Sequence, residues 1–477
     1  MRVLIFHGYM LRGTGSNIYN ANLARALAQL GHEVHLLCQD RETRIEGVEI
    51  HNPDIGGLLP VYVKDPYEGF EVKAFPELSE AELDRYLDAN VAAVAAVGER
   101  IGGVDAALAN HLVMGPAILA RAGIGSFAAK IHGSALEYTV KPHPRFLPYA
   151  EEGMEAASGV LVGSRHTAES LWEALPDVPG LREKTRLGPP GVDTESFQPA
   201  LRPAGGAVGG TAPEEALATG RGGGSPAATG PAGGNAPLIV FVGKLIVSKG
   251  VDLLIAAWPL VRAKHPDAEL RIAGFGEYEA GLRRLLTALD RGDISGAWEV
   301  ARLGRALEGG EEEPLPILAA FLADPPAGYA EAARGLAASV EFIGRLEHDE
   351  VADLLPRVEA LVMPSTFPEA FGMVAVEAAA CGALPVSADH SGMREVSRQL
   401  AAALPPEVGR LTSFPVAPGA VEAIAERLDG WLALPEKGRA AARGELVATT
   451  RRLWSWEGVA ESVIAASRAE LDRLPLA

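Results

Sequence analysis

The chain has 477 residues, 48% hydrophobic and 22% charged, and a formal net charge of −19, a length that suits two large domains. Its acidic balance, with basic residues scattered singly or in pairs, excludes the basic face that nucleic acid needs, and no Lys/Arg-rich amphipathic stripe points to a membrane surface. With Cys38 and Cys381 far apart, no apolar run near the roughly 20 residues of a membrane-spanning helix, and Met1-Arg2 leading straight into a strand-sized run, the expectation is a cytoplasmic protein with no disulfide framework and no transmembrane segment.

Short apolar runs alternate with helical stretches, the pattern of parallel sheets covered by helices. Residues 3–6 predict the first strand. Residues 20–30 predict a helix, with Leu23, Ala24, Leu27 and Leu30 at helical spacing and Gly31 as its C-cap. A second strand covers 34–37, and later strands 127–131, 159–162 and 185–187 complete one Rossmann-like unit. Residues 201–236 contain eleven glycines and nine alanines but no aromatic. Such a stretch cannot offset its ordering entropy by burial, so a flexible linker or surface insertion is expected. The alternation then restarts, with strands at 238–242, 269–273, 340–343, 360–363 and 384–386 and a helix at 251–261. Between them, about 290–338 reads as a solvated insertion around the acidic tract 308–314, with a short helix at 315–321; a lid or partner surface is the alternative.

Five loops carry candidate chemistry. Gly13-Thr14-Gly15 gives a Cβ-poor turn between the first strand and first helix, where backbone approaches a diphosphate; a plain strand-to-helix turn reads the same way. His132-Gly133 follows the strand ending at Ile131, and its ring either meets a sugar hydroxyl or has no role. Gly188-Pro189-Pro190-Gly191-Val192-Asp193, with Phe197, marks a domain-crossing turn. Lys244 and Lys249, between Gly243 and Gly250, would neutralise a diphosphate at the carboxyl end of a strand, or face solvent. Glu369 and Glu377 stand eight positions apart, with Gly372 between them at a helix start. No Asp-x-Asp, His-x-x-x-His or Cys pair suggests a metal ion.

In that order, and with Phe342-Ile343-Gly344, these residues resemble the family 4 retaining glycosyltransferases, also called glycosyl transferases group 1. The resemblance covers the chain apart from 201–236 and about 290–338, and the Glu369 to Glu377 block is its most specific part. It implies the GT-B architecture, an α/β fold of two Rossmann-like domains facing each other across a cleft. An acceptor-binding domain would occupy 1–198 and a nucleotide-sugar-binding domain 237–454, with a closing helix at about 455–477, marked by Trp456, returning to the first. It implies that Glu377 holds ribose hydroxyls and that Glu369, with the backbone of Ala370, Phe371, Gly372 and Met373, grips the donor sugar. Lys244, Lys249 and Gly15 would bind the diphosphate, Arg345 and its neighbours in 342–346 would face the base, and His132 would lie near the reacting carbon. Glu369, His132 and Lys249 are thus the catalytic candidates. The donor would be a UDP- or GDP-type nucleotide-diphosphate sugar, with no cofactor or metal ion, and anomeric configuration would be retained. Lys244 departs from the family's usual arginine, giving up bidentate geometry, and Pro190 stands where asparagine is commoner. The acceptor reads as a small polar molecule or glycan. Tyr62, Tyr67, Phe70, Phe75 and Tyr86 are either acceptor-stacking or core residues. A nucleotide-sugar epimerase, another GT-B enzyme and a non-enzymatic sugar-nucleotide sensor are the competing readings.

Overall fold

The computed structural model describes residues 1–13, 15–62, 67–200 and 236–477. The glycine-rich stretch expected as a linker lies outside the described residues except for Ala236, as does Thr14. Among the described residues fifteen strands appear in chain order: β1 (Arg2–Phe6), β2 (Glu33–Leu37), β3 (Val48–His51), β4 (Leu58–Val61), β5 (Glu71–Ala74), β6 (Ala106–Asn110), β7 (Phe127–Ile131), β8 (Gly159–Val162), β9 (Thr185–Leu187), β10 (Leu238–Val242), β11 (Glu269–Ala273), β12 (Val340–Gly344), β13 (Ala360–Met363), β14 (Leu384–Ala388) and β15 (Ser413–Phe414).

Two parallel sheets order them as β3-β2-β1-β6-β7-β8-β9 and β12-β11-β10-β13-β14-β15, with β4-β5 a separate ribbon. β1 pairs with β2 on one side and β6 on the other, and β10 likewise with β11 and β13. Strand order therefore reverses beside β1 and beside β10, and ligands of such sheets bind in the crevices outside the carboxyl ends there. The central strands are almost continuously apolar because helices cover both faces. β6, β7, β13 and β14 are buried at every position.

The N-terminal sheet has one core on each face. Into the second, the helix Trp456–Ser467 inserts Val459, Ala460, Val463 and Ala466 beside Leu23, Ala24 and Leu27 of the helix Gly15–Gln29. The first helix thus starts five residues before the expected 20, and its added first turn carries Asn17, a polar residue that lies buried.

The region 290–338 differs from the solvated insertion expected. Helices Ile294–Leu303, Pro316–Ala323 and Tyr329–Ala333 deliver Ala297, Val300, Leu318, Phe321 and Tyr329 to the C-terminal core. The Tyr329 hydroxyl donates to the Ala256 carbonyl at 2.7 Å, within the helix Val251–Arg262. The run Gly309 to Pro314 is exposed at every position. Glu308 turns inward and accepts from the Val247 N–H at 2.7 Å.

Candidate active site

The expected donor-binding residues gather where β10 and β13 end. Gly250 takes the left-handed conformation (φ 66°), and a Cβ there would lie 2.0 Å from the Pro364 carbonyl oxygen, so only glycine lets the two loops touch. That contact brings Lys249 into an ion pair with Glu369. Ser365 Oγ donates to the same carboxylate at 2.8 Å. The Glu369 N–H donates to Ser391 Oγ at 2.9 Å, and its carbonyl accepts from the Gly392 N–H at 2.9 Å. Glu369 is thereby fixed in side chain and backbone, half-buried at the cleft wall.

Gly372 (φ 108°) caps the helix Met373–Ala380, whose first N–H groups have no intrahelical acceptor and point toward an incoming anion. Phe371 turns away, its ring edge-on to Trp454 at 6.0 Å, so this segment offers a ligand backbone rather than the phenyl ring. Glu377 is 6% exposed and takes His348 Nε2 at 3.1 Å. Burial pulls the His348 pKa down, but the hydrogen bond and charge of Glu377 outweigh it, leaving a net rise. Lys244 is half-buried on the loop after β10. Arg345, half exposed, pairs with Glu347 at 3.0 Å and stacks over Phe275.

The other wall comes from β1, β6 and β7. A Cβ on Gly13 would meet Arg345 Nη2 at 3.6 Å, and one on Gly15 would meet Met373 Sδ at 3.7 Å, so the glycine turn faces the expected base and phosphate groups across the cleft. Asp40 secures that turn by accepting the Leu11 N–H at 3.2 Å and lying 3.6 Å from Arg12 Nε. Gly133 (φ 88°) brings His132 alongside, where an added Cβ would lie 3.3 Å from Ala370 Cβ. Burial, reinforced by His111, Lys130 and His7, holds His132 well below the ordinary histidine pKa. Glu395 Oε1 accepts the Arg165 and His166 N–H groups at 2.8 and 3.3 Å, fastening the walls together beside the cleft.

The structure thus brings Lys249 against Glu369, Gly15 against Met373, Gly13 against Arg345, and the His132-Gly133 turn against Ala370, while Glu377 lies buried further along the helix Met373–Ala380 against His348. Sequence reading missed His348, Ser365, Ser391 and Asn110, which hold Glu377, Glu369 and His132. Only Ser365, four positions before Glu369 on the same turn, left a local signal. Of the aromatics in doubt, Phe75 and Tyr86 are core (0% and 5% exposed), while Tyr62 stacks on Phe75 and tilts against His111. Among the described residues one group, His35, Glu49 and His51, is close enough to hold a metal ion. It lies on β2 and β3, and Arg100 already donates to Glu49 at 2.8 Å and to His51 at 3.2 Å.

Two Rossmann-like parts with a cation-lined, carboxylate-bearing cleft between them define a GT-B enzyme. The profile described as Glycosyltransferase Family 4 matches residues 13–196, and two described as Glycosyl transferases group 1 match 236–306 and 329–444. The chain belongs to the family 4, group 1 glycosyltransferases and is a glycosyltransferase. It is 26% identical over 395 residues to a D-inositol 3-phosphate glycosyltransferase of Jonesia denitrificans, covering 80% of this chain and 76% of that one. A GDP-mannose-dependent monoacylated alpha-(1-6)-phosphatidylinositol monomannoside mannosyltransferase of Corynebacterium glutamicum is 30% identical over 210 residues, 43% of this chain and 38% of that one. Among solved structures, sucrose-phosphate synthase from Thermosynechococcus elongatus superposes with a TM-score of 0.56 at 18% identity, over 99% of both chains. Anabaena HepE in complex with UDP-glucose gives 0.55 at 15% identity, over 99% of this chain and 100% of that one. Among the described residues no helix is long and apolar enough to cross a membrane.

Proposed function

We propose that the protein is a retaining, metal-independent glycosyltransferase that moves a sugar from a UDP- or GDP-type nucleotide donor to a hydroxyl of a small polar or glycan acceptor. The observation that carries this reading is the Lys249–Glu369 pair, seated by Ser365 and Ser391 at the mouth of the helix Met373–Ala380, with the His132-Gly133 turn against the neighbouring Ala370. Glu377, about one helical turn in, is a buried acceptor suited to a ribose diol. Lys244, Lys249, Arg345 and the helix N-terminus supply positive potential where a departing diphosphate gathers charge, the role a divalent cation plays elsewhere. Glu369 then orients the sugar while the departing phosphate takes the acceptor's proton on the same face. Catalysis on this account is positioning plus charge stabilisation, with no covalent nucleophile. The Anabaena structure with UDP-glucose adds support for the donor class. Two unpaired, buried cysteines suit the cytoplasm proposed as its compartment.

The test is transfer from a panel of UDP- and GDP-sugars to polyols and glycans in the presence of EDTA, with the product's anomeric proton read by NMR. Retention of configuration undiminished by EDTA is the expected result. Inversion, loss of transfer on chelation, or conversion of the donor sugar to its epimer without acceptor would each overturn the proposal.

A further inference from the structure

Behind His132 lies a run of polar side chains that the donor site does not use. Its Nε2 lies 2.8 Å from Asn110 Oδ1. Asn110 Nδ2 donates to the Phe6 carbonyl at 3.1 Å and to Asn20 Oδ1 at 2.7 Å. Asn20 Nδ2 in turn donates to the Ser16 carbonyl at 2.8 Å and meets His7 Nδ1 at 3.0 Å. His7 Nε2 sits between Asn17 Oδ1 (2.9 Å) and the Met10 carbonyl (3.0 Å), and Asn17 Nδ2 donates to the Arg12 carbonyl at 2.7 Å. His7, Asn17, Asn20 and Asn110 are each no more than 1% exposed.

Backbone carbonyls only accept, and four of them fix every choice. Phe6 orients the Asn110 amide, Ser16 that of Asn20, Arg12 that of Asn17, and Met10 places the His7 proton on Nε2. Asn110 must therefore present its oxygen to His132, whose Nε2 must carry the proton. Reversing one member would set donor against donor or acceptor against acceptor at a buried site, leaving polar groups unsatisfied away from water.

We propose that this one-directional chain makes Asn110, Asn20, His7 and Asn17 positioning residues, holding His132 in the tautomer whose bare Nδ1 accepts a substrate hydroxyl and tying it to the glycine turn at Arg12. Its catalytic meaning rests on the glycosyl-transfer reading; the hydrogen-bond chain itself does not. The groups facing His132 keep it uncharged. Tyr19 meets it edge-on at 5.1 Å and His111 lies 4.8 Å away, His7 stands behind Asn20, and Lys130 on its own strand is itself pushed down to about 7 by burial. From the second domain the neighbour across Gly133 is Ala370, which carries no charge. His132 is thus an acceptor over the working pH range and not a general acid.

Two measurements decide it. In protein labelled with 15N-histidine, with His132→Gln for assignment, long-range proton–nitrogen correlation should give His132 as the Nε2–H tautomer, unchanged from pH 5.5 to 8. An Nδ1–H tautomer, or titration near the ordinary value of about 6.5, would overturn the proposal even in a protein that transfers no sugar. In the transferase assay, Asn20→Ala should lower kcat on the order of tenfold with the donor KM within about threefold, the pattern of an interaction made only in the transition state. Asn110→Asp should add an acid limb to kcat/KM, because a carboxylate facing His132 favours the charged ring and activity falls as the pH drops through the raised pKa. Wild-type kinetics and a flat profile in both folded variants would remove these residues from the mechanism. If either variant fails to fold, the NMR experiment on the unaltered protein still decides.

Discussion

Replacing Glu377 with glutamine tests the nucleotide half of the site while keeping its shape. Glu377 is 6% exposed, so hydrogen bonds from a ribose diol to its carboxylate are made in a largely dry setting. Bonds to a charged acceptor are worth about 1.5–3 kcal/mol and neutral ones about 0.5–1.5. Two such exchanges cost about 2 kcal/mol, or roughly 30-fold in Kd. Calorimetric titration with the preferred nucleoside diphosphate, and with its 2′,3′-dideoxy analogue, forms a double-mutant cycle. The dideoxy analogue should bind the unaltered protein weakly and gain almost nothing further from Glu377. Undiminished affinity of Glu377→Gln for the ribonucleotide, or penalties that simply add, would refute the ribose assignment. The variant should also change the pH dependence of stability. Because His348 has a raised pKa in the folded state, its pairing with Glu377 stabilises below the unfolded histidine value of about 6.5 and is lost as pH rises through the folded value. Glu377→Gln should therefore be less stable near pH 5.5 and equal to the parent at pH 8, by a small margin, since His348 is 35% exposed and screened.

Lys249→Ala should abolish the thermal shift produced by nucleoside diphosphates, about 2.7 kcal/mol at a hundred times Kd, while the protein stays folded; an undiminished shift would remove Lys249 from the site. In Gly392→Ala the new Cβ would lie 2.4 Å from the Ala370 carbonyl oxygen and 2.7 Å from Phe371 Cα, so the Glu369–Gly372 loop must move. A stability loss of about 1–3 kcal/mol should come with weakened donor binding, whereas Gly438→Ala, inside the helix Glu436–Leu453 with nothing within 4 Å, should cost no stability and leave donor binding unchanged; donor affinity unaltered in Gly392→Ala would refute the coupling. Asp252, 3% exposed, is pushed up to about 7 by burial, so the fold loses stability as pH rises from the unfolded aspartate value toward 7. Asp252→Asn should be more stable than the parent above pH 7, by on the order of 1–3 kcal/mol, with the gap closing toward pH 4 in denaturant titrations; a gap independent of pH would contradict it.

What could be read beforehand followed the range of the interactions involved. Strands β8, β10 and β13 fall at the expected limits, because strands buried on both faces are written as unbroken apolar runs; β7, β9 and β11 do so too, although Lys130, Thr185-Arg186, and Glu269 with Arg271 interrupt theirs. The Glu369–Glu377 block was legible for a similar reason: loop, glycine cap and helix are contiguous. The region 290–338 misled because the tract from Glu308 to Glu313 dominates its composition, while its core contacts come from Ala297, Val300, Leu318 and Phe321, spread over two short helices. His348 and Asn110 reach their partners from 29 and 22 positions away. No periodicity records such a contact, and buried asparagines inside a helix read locally as helix breakers.

The helix Trp456–Ser467 bears on how the protein is made. Gly191 packs against the Trp456 ring, where an added Cβ would fall 2.6 Å from the indole, and the Val192 N–H donates to the Trp454 carbonyl at 2.8 Å, so the outgoing and returning crossings of the chain lie side by side. Yet Val459, Ala460, Val463 and Ala466 belong to the core built by the first helix and β1. On the ribosome, the unit that emerges first stays open along one face until the whole second unit has been synthesised, roughly 15–50 s later at 5–20 residues per second. Through that interval the apolar patch over β6, β7 and β8 waits uncovered, so the opening domain of the chain is the last to be finished.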